Sequence, residues 1–160
     1  MGQIKAKTLL EKMGFVDDDK KSPNHDKIQE WTYRNAKKII DELFAKNLWT
    51  YQILSNEWEY EVFSYNYNSK SIVGFVDIAV KFEKDKDKKE WDDERPRVFF
   101  EIKTKIPSAG ELLRQLKVYK TYLTYKQQVF VVVSPDDTFA ELLKEQGFFF
   151  YKYQDPEKLF

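Results

Sequence analysis

The run SIVGFVDIAVKF, residues 71 to 82, is apolar and β-branched along most of its length and is broken by one carboxylate, Asp77. Runs of this kind form strands covered on both faces, so it reads as a central strand, one with neighbours on both sides. Ionised Asp77 among Ile72, Val73, Phe75, Val76, Ile78, Ala79 and Val80 is too costly without a positive partner. On the N-terminal side Trp58, Tyr60 and Val62 alternate with Glu59 and Glu61, the pattern of a half-buried strand, and YNYNSK (65 to 70) supplies turn residues between the two. On the C-terminal side the mixed charges of residues 83 to 97 (EKDKDKKEWDDERPR) read as a solvated hairpin connection. It leads into a third strand, VFFEIKTKI at 98 to 106, which ends at Pro107.

The flanking segments change period. A short helix is expected over residues 4 to 13, then a polar break at Asp17 to Pro23. Ser22 to Asn24 offers capping side chains to a helix from about His25 to Lys46, in which Ile28, Ala36, Ile39, Ile40, Leu43 and Phe44 share one arc. Pro107 and Gly110 bracket the start of another helix, with Leu112, Leu113, Leu116, Tyr119, Tyr122 and Leu123 at helical spacing. QQVFVVVS (127 to 134) reads as a strand buried on both faces, Pro135 and Asp136 open a helix stopped at Gly147, and FFFYKY (148 to 153) is a last edge strand. The order α, β, β, β, α, β, α, β describes an α/β fold. It is an antiparallel meander followed by a right-handed crossover to a parallel strand, and so a three-layer mixed sheet with helices on both faces.

At 160 residues the chain has the length of one domain, 1 to 160, and its 13 Phe, 10 Tyr and 4 Trp demand a substantial core. The absence of cysteine excludes disulfides, thiolate zinc sites and iron–sulfur clusters, leaving oxygen ligands or the single His25 for any metal. Neither a signal-peptide core nor a stretch of roughly 20 apolar residues is present, so an intracellular, cytoplasmic, non-membrane location is expected. Charge is balanced, 27 Lys plus Arg against 27 Asp plus Glu, so the bulk composition announces no nucleic-acid partner, although it can hide a basic groove beside an acidic pocket.

Glu101 and Lys103 are two apart in the third strand and leave the same side of the sheet, while Phe100 and Ile102 leave the other. If the second and third strands pair as a hairpin, Asp77, Glu101 and Lys103 meet at one spot. Two adjacent carboxylates repel unless a cation sits between them, and hard divalent ions such as Mg²⁺ take carboxylate oxygens. Such an ion polarises a phosphate and lowers the pKa of water, and a neighbouring lysine orients that water or offsets developing charge. The plainer alternative is a structural ion-pair network.

In sequence order, GFVD (74 to 77), EIK (101 to 103) and QLKVY (115 to 119) resemble the PD-(D/E)XK nuclease superfamily, the last motif being similar to the QxxxY of its RecB-like and phage-exonuclease branch. The resemblance implies a restriction-endonuclease-like αβββαβ core over residues 25 to 134 and Mg²⁺- or Mn²⁺-dependent hydrolysis of DNA phosphodiester bonds. It implies Asp77, Glu101 and the backbone carbonyl of Ile102 as metal ligands, Lys103 as assistant to the attacking water, and Gln115 and Tyr119 as residues that support the site or contact nucleic acid. Val76 stands where the superfamily's name has a proline. Family members often draw a further ligand from the first helix, which makes His25 and Glu30 candidates; a surface residue beside the cap and a solvated helix charge are their plain alternatives. Exonuclease action is the preferred expectation. A structure-specific or restriction-type endonuclease working as a homodimer, and a non-catalytic nucleic-acid or protein-binding module on the same fold, are the alternatives. The neutral charge suits delivery to DNA by a partner protein.

Overall fold

Five strands form one sheet in the order β1-β2-β3-β4-β5: β1 (Gln52–Asn66), β2 (Ser69–Glu83), β3 (Arg97–Ile102), β4 (Gln128–Ser134) and β5 (Phe149–Lys152). The first three are antiparallel neighbours, and β3, β4 and β5 run parallel, so the sheet is mixed. Its helices are α1 (Leu9–Lys12), α2 (Pro23–Arg34), α3 (Ala36–Phe44), α4 (Ala109–Tyr122) and α5 (Ala140–Glu145). The computed structural model describes residues 7–15, 18–44, 51–83 and 91–158. No helix among them is long and apolar enough to cross a membrane.

Strand alternation sorts the apolar residues into two cores. Phe99 and Val132 pack with Leu112, Leu116 and Leu143 of α4 and α5, while Phe100, Ile102, Val131 and Val133 pack with Ile28, Ile39 and Ile40 of α2 and α3. The expectation of an α/β fold with a mixed sheet between helices therefore holds, as does the antiparallel meander followed by a parallel strand.

Element ends differ from the sequence reading for local reasons. The helix expected from His25 to Lys46 is two helices: Asn35 leaves helical geometry (φ −112°, ψ 18°) and its side-chain amide donates to the Trp31 carbonyl at 2.8 Å. Residues 45 and 46 lie outside the described residues. The third strand stops at Ile102, not at 106, because the Thr104 amide donates to the Asp19 carboxylate at 2.9 Å instead of continuing the ladder. The helix expected to open at Pro135 begins at Ala140, since Asp136 accepts from the Thr138 amide and hydroxyl (3.1 and 2.7 Å) and from the Ile106 amide (2.8 Å) and so holds a turn. The expected short helix is only Leu9–Lys12, and residues 4 to 6 are not among those described. Of the charged connection, Asp92–Glu94 form a 3₁₀ turn and residues 84–90 fall outside the described set. Asp92 is held by Lys81 and Arg97 at 3.0 and 3.1 Å.

Candidate active site

Asp77 and Glu101 sit on adjacent strands near the C-terminal end of β3, and both are almost fully buried, at 2% and 1% exposure. Their neighbours are cationic. The Lys20 ammonium stands 3.8 Å from Asp77 Oδ1 and 3.7 Å from Glu101 Oε1, and it donates to the Phe75 carbonyl at 2.8 Å. Lys103 Nζ is 3.5 Å from the same Glu101 oxygen. Asp77, Glu101 and Lys103, the expected triad, are thus brought together, with Lys20 as a fourth member.

The other oxygen of Asp77 faces away from Lys20. Its Oδ2 accepts the Ile102 amide at 2.7 Å and lies 3.4 Å from His25 Nε2. Ile102 therefore meets Asp77 through its N–H. Burial pushes the Asp77 pKa up, but Lys20, His25 and the Ile102 amide outweigh burial and hold the carboxyl below its usual range. His25 shows the complementary balance: burial lowers its pKa, while Asp77, Glu101 and Asp19 raise it above the ordinary 6.5. Its contact with Asp77 is longer than a good hydrogen bond and is electrostatic in character.

Local sequence explains why these side chains arrive together. The 3₁₀ turn Asp18–Lys21 is tied to the loop after β3 because Asp19 accepts from both the amide and the hydroxyl of Thr104. Ser22 then caps α2 by accepting the His25 amide at 3.1 Å. The cap starts α2 early enough for His25 to be helical and buried, at 1% exposure, so the surface alternative for this residue is excluded. One turn later Gln29 Nε2 donates to the Asp77 carbonyl at 2.9 Å. Glu30 is exposed and paired with Arg34 at 2.8 Å, away from the site.

From α4, Gln115 donates to Glu101 Oε1 at 3.3 Å, and its amide is 3.4 Å from the Tyr119 hydroxyl, which donates to the Phe75 carbonyl at 2.9 Å. Gln115 and Tyr119 thus connect helix, carboxylate and the strand leading to Asp77. Gly74 completes this packing: a Cβ there would lie 2.7 Å from Leu10 Cδ1 and 3.1 Å from the Tyr119 ring. Beside the site opens a cleft of about 700 Å³, whose lining includes Phe15, Asn24, Lys103, Lys105, Ser108 and Gln115.

Lys20, Asp19 and Gln29 were not among the candidates drawn from the sequence. Gln29 carried a signal, a polar side chain in an apolar helical arc; Lys20 and Asp19, in a polar run, carried none.

The donor chemistry suits a hard divalent cation. Asp77 Oδ1 and Glu101 Oε1 converge on one point, which the Lys20 ammonium holds, while His25 Nε2 lies against the other Asp77 oxygen. As arranged, no group of three His, Cys, Asp or Glu side chains among the described residues could hold a metal ion. No protein-family model, no curated protein and no solved structure significantly matches the chain.

Proposed function

We propose that the chain is a Mg²⁺- or Mn²⁺-dependent deoxyribonuclease of the PD-(D/E)XK type. The observation that carries this reading is the convergence of Asp77 and Glu101 on a single cationic point, with Lys103 within 3.5 Å of Glu101. Two buried carboxylates are costly to a fold, and a site that binds cations gives them a use beyond stability.

Asp77, Glu101 and the backbone carbonyl of Ile102 would hold the ion, with His25 beside Asp77 as a candidate further donor. When bound, such an ion supplies the Lewis acidity that phosphodiester hydrolysis needs. Lys103 orients the attacking water and offsets charge developing on the phosphoryl group. Gln115 fixes the Glu101 carboxylate, and Tyr119 fixes the strand at Phe75. Water adds across one P–O ester bond, leaving a phosphate monoester and a hydroxyl. The cleft lined by Lys103, Lys105 and Ser108 gives the strand a path to this point. Gln115 and Tyr119 favour exonuclease-like action, and a structure-specific or restriction-type endonuclease is the near alternative.

A second reading has its own observation. Lys20 and Lys103 together already offset the carboxylate pair without a metal, as a module that binds nucleic acid or protein without cutting would require. Cleavage of linear duplex, single-stranded and circular DNA with Mg²⁺ or Mn²⁺ separates the two. Metal-dependent cutting lost in Asp77→Ala is the expected result, with circles spared by an exonuclease. No cutting of any substrate by a folded wild type would leave the binding module.

A further inference from the structure

The strands β1 and β2 are 15 residues long, against six for β3, and most of the excess lies at the end of the sheet that carries the candidate active site. Ile78 pairs with Phe100 and Lys81 with Arg97; continuing that register places Ile102, the last residue of β3, opposite Val76. Residues 69 to 75 of β2 therefore overhang the sheet at the end that carries Asp77, Glu101 and Lys103. The root of the overhang is covered where Gly74 meets Leu10 and Tyr119.

Beyond that root, Phe63 to Ile72 (FSYNYNSKSI) form a two-stranded arm closed by a turn at Tyr67 and Asn68. Phe63 pairs with Ile72 and Tyr65 with Lys70, so these four side chains share one face. The rings of Phe63 and Tyr65 are 6.3 Å apart, and the Lys70 ammonium is 3.7 Å from the centre of the Phe63 ring. Tyr65 is 73% exposed and Tyr67 wholly so. Neither ring is spent on the core.

Charge selects the occupant. The chain carries 27 Asp and Glu in 160 residues, yet these ten residues include none, and their one charge is Lys70. Ser64, Asn66, Asn68, Ser69 and Ser71 add hydrogen-bonding groups of the kind that meet sugars and phosphates. Exposed aromatic faces interleaved with a cation and neutral polar groups suit unstacked bases on a polyanion.

We propose that this arm is a single-stranded nucleic-acid-binding element. Bases stack on Tyr65 and Tyr67 while Lys70 meets the backbone, and the strand is gripped at a distance from the bond to be cut. The proposal rests on the nuclease reading and adds the form of the substrate at its flank. Ser69 is eight residues from Asp77, roughly 26 Å at about 3.3 Å per strand residue. A stacked strand covers that span with roughly eight nucleotides at about 3.4 Å each.

The test is equilibrium binding, in EDTA, of labelled single-stranded DNA of about 30 and about 5 nucleotides, only the longer of which spans the estimated reach. The Tyr65→Ala/Tyr67→Ala variant should bind the longer strand about tenfold or more weakly, the loss of at least one stacked base, and the shorter strand, which cannot engage arm and active site together, should bind wild type more weakly than the longer one. Tyr65→Phe/Tyr67→Phe should retain the affinity. Unchanged binding of the longer strand by the double alanine variant, with wild type binding and cutting DNA, would overturn the arm's role alone. A wild type that binds neither strand and cuts nothing would overturn the nuclease reading with it. Self-association of wild type that disappears in the alanine variant, seen by sedimentation, would assign the arm to a second copy instead.

Discussion

The ammonium of Lys20 lies 3.8 Å from Oδ1 of Asp77, a carboxylate 57 residues away in sequence, and it balances a charge that the surrounding strand residues cannot. Lys20 occupies the point on which Asp77 Oδ1 and Glu101 Oε1 converge. Replacing it with methionine removes the cation that the two buried carboxylates share and leaves Lys103 and His25 to offset them, so Lys20→Met should unfold about 3 kcal/mol more easily without metal. Mn²⁺ should then raise its melting temperature more than that of wild type, because the competing ammonium is gone. Equal melting temperatures and no response to Mn²⁺ in either protein would remove the cation site.

His25 is the chain's single histidine, so its imidazole titration can be followed by NMR without ambiguity. Its midpoint in metal-free protein should lie above 6.5, and Asp77→Asn should bring it down. Since the folded-state pKa exceeds that of the unfolded chain, the stability contributed by protonated His25 is complete below about pH 6.5 and is lost as pH rises through the folded value. A midpoint insensitive to Asp77→Asn would break the assigned pairing.

Lys103→Ala should lower kcat by about 10²-fold or more while leaving DNA affinity within a few-fold, as expected of a group that acts on the transition state. Full cleavage activity would refute its role. Loss of binding in parallel with loss of cutting would place Lys103 in substrate affinity instead.

Gln115→Leu removes the donor that fixes Glu101, and Tyr119→Phe removes the bond to the Phe75 carbonyl. Each should cost about 1 kcal/mol of stability and about tenfold in kcat, with KM little changed. A rise in KM at constant kcat would mean that these residues touch nucleic acid directly.

Gly74→Ala should destabilise by about 1 to 3 kcal/mol, because its Cβ collides with Leu10 and crowds Tyr119. Chemical denaturation measures the loss. Leu10→Ala in the same chain should recover part of it by vacating the colliding carbon. A neutral Gly74→Ala would show that α1 does not press on β2 as described.

Much of the candidate site was legible because its signals are local. Alternation along FFEIK separates Glu101 and Lys103 from Phe100 and Ile102, and a helical turn joins Gln115 to Tyr119. His25 was ambiguous for the same kind of reason: whether it is buried depends on one hydrogen bond to Ser22, which decides where α2 starts. Lys20 and Asp19 gave no signal, since a lysine and an aspartate in DDDKKSP are ordinary surface residues until a partner is brought to them.

Periodicity of 2 and 3.6 gave the order of strands and helices and the mixed sheet between helices, and with the cost of a charge in an apolar strand it made Asp77, Glu101 and Lys103 candidates, whereas Gln115 and Tyr119 became candidates only through the resemblance of QLKVY to a known motif. These are properties of single elements, in which residues a few positions apart must share a face. The tertiary structure decided the break at Asn35, the early end of β3, the entry of Lys20 and His25 into the carboxylate pair, and the overhang of the β1–β2 arm beside it. Each of these depends on contacts across the chain, where the cost of a buried charge or an unmet backbone group is settled by whatever the fold brings within reach.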